Sequence, residues 1–334
     1  MPANLTPDYK RAEAAYKRAR DPRERLELLQ EMHRTIPKHK GTEHLRAEIK
    51  TKIKELRDEL AGPAKGGDRS GPATFIHPDG AAQVAILGPP NTGKSTLHAA
   101  LTGSHAHAGA YPFTTLYPEP GMLPVDDAHI QLVDLPPISP RHPIPWIGNA
   151  LQSADGALLV IDLGQPGCVE QIIEVREILA ERRVTLTGSW DGEPAEGDDP
   201  FAVRLPTLLV ANKSDAIADI DGDLAVCREL GDFHFPTTTV SAATGADLDT
   251  IGPWLFRNLD IVRVYTKAPG KPPDMQRPYT VRSGATVADV AMLVHRDLAA
   301  SFQHARLWGR DAYDGQQVGR DHQVEDGDVL EIHT

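Results

Sequence analysis

The octapeptide GPPNTGKS at residues 88–95 constrains this chain more than any other stretch, because it directly follows the apolar run QVAIL and opens a helical segment near Lys94. The pattern G-x-x-x-x-G-K-[ST] between a strand and a helix is a phosphate-binding loop. Its chemistry dictates its composition. Glycines at 88 and 93 let backbone N–H groups curl around a phosphate, and the helix N-terminus adds positive dipole. Lys94 reaches the β- and γ-oxygens, and Ser95 is placed to hold Mg²⁺. The candidate nucleotide contacts are therefore Gly88, Pro89, Pro90, Asn91, Thr92, Gly93, Lys94, Ser95 and Thr96.

The base is read further along the chain. NKSD at 212–215 ends the apolar run TLLVA, and SAATG at 241–245 follows another short strand. Guanine presents N1–H and its exocyclic amine side by side, so one carboxylate, Asp215, accepts both; adenine offers no such pair of donors. Asn212 is expected to tie this loop to the phosphate loop, with Lys213 lying along the base plane. Ser241, Ala242 and Ala243 form the second base-contacting segment, and the N–H near Ala242 is expected to face guanine O6. An ATP-binding reading leaves NKSD unexplained. Between these motifs, YPFTTLYP at 111–118 supplies Thr115, preferred over Thr114, as the residue that closes on Mg²⁺ and the γ-phosphate. His105 and His107 upstream have no third metal ligand in view and read as loop residues.

Outside the motifs the chain divides by pattern. Residues 7–61 read as helices, with Leu45, Ile49, Ile53, Leu56 and Leu60 on one 3.6-residue stripe. Beside it run Arg46, Lys50, Lys54 and Arg57, either a solvated face balanced by Glu48 and Glu55 or a surface for RNA phosphates. GPAKGGDRSGP at 62–72 is a linker. From residue 80, short apolar runs (QVAIL, AHIQLVDL, GALLVIDL, TLLVANK, TTTVSA) alternate with helical segments, as in a parallel sheet buried on both faces. The acidic TGSWDGEPAEGDDP at 187–200 reads as a surface loop or hairpin insertion. Past residue 260 a small α+β module follows, with IVRVYT, PYTVRS and DVLEI around one helix at about 286–300. The expected divisions are 1–72, 80–259 and 260–334.

Charge follows the same division. The net charge is −12, yet residues 1–70 hold 17 Lys/Arg against 12 Asp/Glu, about +5, so a polyanion would favour the N-terminal region. Cys168 and Cys227 have no metal-ligand spacing and are expected to pack rather than bridge. No apolar run approaches the ~20 residues of a membrane span, and the N-terminus lacks a secretory core, so the expectation is a cytoplasmic protein, by default a monomer.

Taken together, GPPNTGKST, YPFTTL, the DLP opening of a third motif, NKSD and SAATG resemble the Obg-like GTPases. The ends of the chain narrow the resemblance to the developmentally regulated GTP-binding (DRG) branch. TEHLRAEIKTKIKELRDEL is similar to its helical region; VRVYTKAPGKPPD, RSGATVADV and LWGRDAYDGQQVGRDHQVEDGDVLEI are similar to its TGS domain. The resemblance implies an α/β fold: a Ras-like P-loop GTPase domain, preceded by a helical N-terminal region and followed by a ubiquitin-like β-grasp (TGS) domain. It also implies Mg²⁺-dependent GTP hydrolysis, association with ribosomes, rRNA or tRNA, and a protein partner for the TGS domain. Members with asparagine at the position of Asn91 are often stimulated by K⁺, whose charge would act where other GTPases use an arginine.

Two departures stand out. The branch usually has a larger insertion in its G domain than the 187–200 segment provides. The third motif reads Asp134-Leu135-Pro136-Pro137, where the family has D-x-P-G. Asp134 keeps its expected hold on a Mg²⁺-bound water. Pro137 has no N–H to offer a γ-phosphate, and Ile138 stands where many GTPases place a water-orienting glutamine. A slow GTPase with weak discrimination of GTP from GDP is the expectation. The competing reading is a nucleotide-binding scaffold that hardly hydrolyses.

Overall fold

The computed structural model describes residues 5–19, 22–60, 74–104, 116–190, 199–310 and 312–334. They fall into two compact units: residues 1–73 with 194–202, and residues 74–193 with 203–334.

The described residues of the first unit form the α-helices α1 (Pro7–Arg18), α2 (Pro22–Thr35) and α3 (Glu43–Leu60). Helix α1 starts where Thr6 accepts the Tyr9 N–H at 3.2 Å and Pro7 occupies the first turn. The helices close on Tyr9, Tyr16, Leu29, Met32, Ile36 and Ile49, with Leu45, Ile53 and Leu56 packed around them. Most of the stripe read along α3 is thus its core face. Phe201, just past the acidic segment, joins this core with its ring 6.1 Å from Tyr16, edge-on. Of the acidic segment 187–200, residues 191–198 lie outside the described residues.

The second unit begins with β1 (Ala82–Leu87), α4 (Lys94–Thr102), β2 (Glu119–Val125), β3 (Ala128–Asp134), the short α5 (Ile147–Ala150), β4 (Gly156–Asp162), α6 (Cys168–Glu181) and β5 (Val184–Thr187). It continues through β6 (Val203–Asn212), α7 (Ile220–Gly231), β7 (Thr237–Thr239) and α8 (Ile251–Asn258). The strands form a seven-stranded sheet in the order β2-β3-β1-β4-β6, with β5 and β7 sharing the far edge of β6. All pairs are parallel except β2 with β3.

Burial on both faces explains the near-continuous apolar strands. Val84, Ile86, Leu158, Val160, Leu208 and Val210 point to a core that includes Leu97 of α4 and Leu255 of α8. The alternate residues Ala85, Leu87, Leu159, Ile161 and Leu209 point to the other core, with Ile172 of α6 and Leu224 of α7. Cys168 and Cys227 pack in this second core as free thiols, as expected.

The chain then forms β8 (Ile261–Thr266), β9 (Asp274–Arg282), α9 (Val287–Val294), α10 (Arg296–Ala300), β10 (His304–Trp308), β11 (Gln316–Val318) and β12 (Asp328–His333). Their five-stranded sheet runs β11-β10-β12-β8-β9, with β8 and β12 parallel, and buries Val262, Val264, Leu307 and Leu330 against Val287 and Val290. The single helix expected at 286–300 is two. His295 has extended backbone (φ −167°), and its Nδ1 accepts the Asp297 N–H at 3.2 Å, so it ends α9 and caps α10.

Arg263 joins the two sheets. Its guanidinium donates to Asp326 at 3.0 and 2.8 Å and to Asp127, in the β2–β3 turn, at 3.0 Å. It also lies 4.9 Å from the Phe256 ring centre of α8, while the Tyr265 hydroxyl donates to Asp127.

Candidate nucleotide site

Strand β1 has β3 on one side and β4 on the other, so the order of the sheet reverses beside it. In open α/β sheets ligands bind in the crevice beyond the carboxyl ends of strands at such a point. The loop at 88–93 leaves β1 there. Two positions accept only glycine. Gly88 has φ +145°, and a Cβ would come within 2.3 Å of the Val160 carbonyl oxygen; Gly93 has φ +86°, and a Cβ would meet Asn212 Nδ2 at 2.5 Å.

Lys94 begins α4 and is 6% exposed. Its ammonium donates to the Pro89 carbonyl at 2.8 Å, folding back across the loop where phosphate oxygens would lie. Burial pushes its pKa down to about 8, against the opposing pull of Asp134. Thr92 Oγ1 donates to the same carbonyl at 3.2 Å. The adjacent Ser95 hydroxyl donates to Asp134 Oδ2 at 2.6 Å. Burial pushes the Asp134 carboxyl upward, opposed by that hydrogen bond and by Lys94. A hydroxyl and a carboxylate so placed are hard oxygen donors that suit Mg²⁺. Pro90 and Thr96 are half-buried beside them.

The base-reading segments are joined to this loop through Asn212. Its Nδ2 donates to the Thr92 carbonyl and its Oδ1 accepts the Ala242 N–H, both at 2.9 Å. Because Asn212 is buried, its carbonyl must be satisfied internally. The Ala242 N–H is therefore engaged by Asn212 in this structure. Ala243 beside it is exposed. Asp215 is exposed and accepts the hydroxyl of buried Ser241 at 2.5 Å. Lys213 donates to the Asn91 carbonyl at 2.7 Å and pairs with Asp162 at 2.9 Å. Both Asn91 (φ +65°) and Lys213 (φ +62°) hold left-handed backbone.

The third motif leaves β3 under tight restraint. Leu135 N–H donates to Ile86 O at 3.2 Å, and Ile138 N–H to Gly88 O at 3.1 Å. Pro136 and Pro137 between them are buried. Ile138 packs in the core with Leu135, Ile147 and Leu151. Thr114, Thr115, His105 and His107 lie outside the described residues.

Of the basic residues on α3, Lys50, Lys54 and Arg57 are exposed, whereas Arg46 is half-buried and its Nε is inaccessible. The four-residue exposed stripe therefore becomes three, because Arg46 lies nearer the helix packing. His33 of α2 lies near this cluster and is held toward its neutral form: burial, then Lys50, Arg46 and Lys38, keeps its pKa below the usual value.

Residues 83–187 match the family described as 50S ribosome-binding GTPase, and residues 262–334 match the TGS domain. An uncharacterised GTP-binding protein of Methanocaldococcus jannaschii is 30% identical, the alignment covering 92% of each chain. The chain belongs to the developmentally regulated GTP-binding proteins. Developmentally-regulated GTP-binding protein 2 of Mus musculus is 27% identical over 92% of this chain and 98% of its own, and Developmentally-regulated G-protein 2 of Arabidopsis thaliana 28% over 92% and 89%. The solved YchF GTPase of Schizosaccharomyces pombe shares the fold at TM-score 0.53 and 12% identity, covering 78% of this chain and 99% of that one.

Asp162 and Arg263 escaped the sequence reading of this family member. Asp162 ends β4 and Arg263 lies within β8, and only the pairing of separate elements gives each its partner.

Proposed function

We propose that this protein binds guanine nucleotides at the β1–β4 crevice and hydrolyses GTP slowly, as a Mg²⁺-dependent and K⁺-stimulated regulatory switch acting with ribosomes or RNA in translation. The observation that carries the reading is the Asn212 bridge, which ties Thr92 of the phosphate loop to Ala242 and sets NKSD and SAATG beside it. Lys94 carries phosphate charge, Asp215 reads the base, and Ser95 and Asp134, with Thr115, would hold Mg²⁺. The metal's role when bound is to neutralise charge on the β- and γ-phosphates. Asn91, exposed in the loop, is the candidate contact for K⁺.

Exposed Lys50, Lys54 and Arg57 support an RNA-facing role for α3, and the match of residues 83–187 to a family described as 50S ribosome-binding GTPase makes the ribosome the first partner to test. The TGS domain is proposed to engage a protein partner. A cytoplasmic monomer is proposed; no helix among the described residues is long and apolar enough to cross a membrane.

One observation favours the second reading, a guanine-nucleotide scaffold with little hydrolysis. Pro137 has no N–H, and the next N–H, that of Ile138, is already donated to Gly88. Single-turnover hydrolysis of GTP and ATP, in potassium and in sodium, with and without ribosomes, decides between them. A GTP rate above that of Lys94→Ala, faster in potassium, is expected. A rate equal to Lys94→Ala in every condition would refute hydrolysis and leave the scaffold.

A further inference from the structure

We infer that Asp162 is a positioning residue for the guanine base site, acting through Lys213; this rests on the nucleotide-site reading above.

The sheet register brings the two together. Strands β4 and β6 run parallel with Asp162 beside Asn212, so the carboxylate stands at the strand end one residue before Lys213. Lys213 has left-handed backbone, an uncommon conformation for a side chain of its size. Its ammonium is then held between two acceptors, Asp162 Oδ2 at 2.9 Å and the Asn91 carbonyl at 2.7 Å. Asn91 is left-handed as well, so two strained residues lock to one another across the mouth of the site. A lysine stem can lie along a base plane only if its end is fixed. Asp162 supplies the charged half of that fixation, from a side chain 14% exposed against 40% for Lys213.

Asp162 also has a local task. Its Oδ1 accepts the Gly164 N–H at 3.0 Å, shaping the turn after β4. Asparagine keeps that acceptor and removes the charge, so Asp162→Asn separates the two roles.

The test is dissociation of fluorescently labelled GDP from the full chain in five proteins: wild type, Asp162→Asn, Asp162→Glu, Lys213→Met and the Asp162→Asn/Lys213→Met double variant. Asp162→Asn is expected to speed dissociation roughly three- to tenfold, the effect of one charge-assisted contact at a half-exposed pair. The loss should be non-additive: in the Lys213→Met background, Asp162→Asn should change the rate by less than about twofold. A purely structural role for Asp162 predicts the full additional loss in that background, and that result would overturn the proposal. Asp162→Glu restores charge and should lie closer to wild type than Asp162→Asn; the reverse order would also overturn it. Wild-type protein that binds GDP no more tightly than ADP would remove the base-site reading and the proposal together. A clear preference for GDP with additive losses would remove the role of Asp162 alone.

Discussion

Replacing Pro137 by glycine tests whether this protein senses the γ-phosphate poorly. In the structure neither of two successive residues has a donor to spare: Pro137 lacks an N–H, and Ile138 donates its own to Gly88 O at 3.1 Å. The acceptor cannot swing aside easily, because Gly88 is itself pressed against the Val160 carbonyl. A restored backbone donor to a charged phosphate oxygen is worth about 1.5–3 kcal/mol. The glycine's extra freedom in the unfolded chain lowers folding stability but is common to both nucleotide complexes and leaves their ratio untouched. The gain corresponds to a shift of roughly ten- to a hundredfold toward triphosphate.

The assay is competition of GDP and a non-hydrolysable GTP analogue against labelled GDP, read as the ratio of the two dissociation constants. The ratio cancels any general weakening caused by removing a buried ring, since both nucleotides bind the same variant. Pro137→Ala is the companion measurement, because alanine restores the N–H without glycine's freedom. Wild type should show near-equal affinities, and both variants should favour the analogue. Ratios unchanged within twofold in both variants would refute the reasoning, and a shift in glycine alone would assign the effect to backbone freedom rather than to the donor.

Three further outcomes follow from the same contacts. Burial lowers Lys94 to about 8 against an ordinary value of about 10.4, so between these pH values the unfolded chain binds more protons and the nucleotide-free fold gains stability as pH rises. Phosphate returns the charge, so calorimetry at pH 9 in buffers of different ionisation enthalpy should show proton uptake on GDP binding, smaller at pH 7 and absent in Lys94→Met. Arg263 holds the Asp326 carboxyl below the usual carboxylate range, which stabilises the fold above the ordinary carboxylate pKa and is lost as pH falls through the lowered value. Thermal midpoints should therefore fall more steeply on acidification in wild type than in Asp326→Asn. Charge reversal at Lys50, Lys54 and Arg57 should weaken ribosome cosedimentation and flatten its salt dependence; unchanged binding would eliminate α3 as a phosphate-contacting face.

What could be read from the sequence divides along a physical line. GPPNTGKS, NKSD and SAATG are legible because each packs its requirements into a few consecutive residues, and a glycine at 88 or 93 is demanded by local backbone. The near-continuous apolar runs of β1, β4 and β6 are legible because burial on both faces favours apolar residues at successive positions. The break at His295 is hidden in an apparently continuous helix because it depends on one side chain capping the Asp297 N–H. Arg46 matched its neighbours in charge, yet rotation about α3 leaves it half-buried.

Asp162 is the sharper case. An aspartate ending an apolar strand looks the same whether it caps a turn or faces another strand's lysine. The pairing of Asp162 with Lys213 exists only because β6 crosses over to lie beside β4 in one register. A shift of one residue would carry the carboxylate to the opposite face of the sheet. The identity of the base-reading residues is thus written locally, while the stiffness with which they are held is set by sheet register. If that separation is right, substitutions in NKSD will change which base is bound, whereas Asp162→Asn will change how long it stays without changing the order of preference among bases.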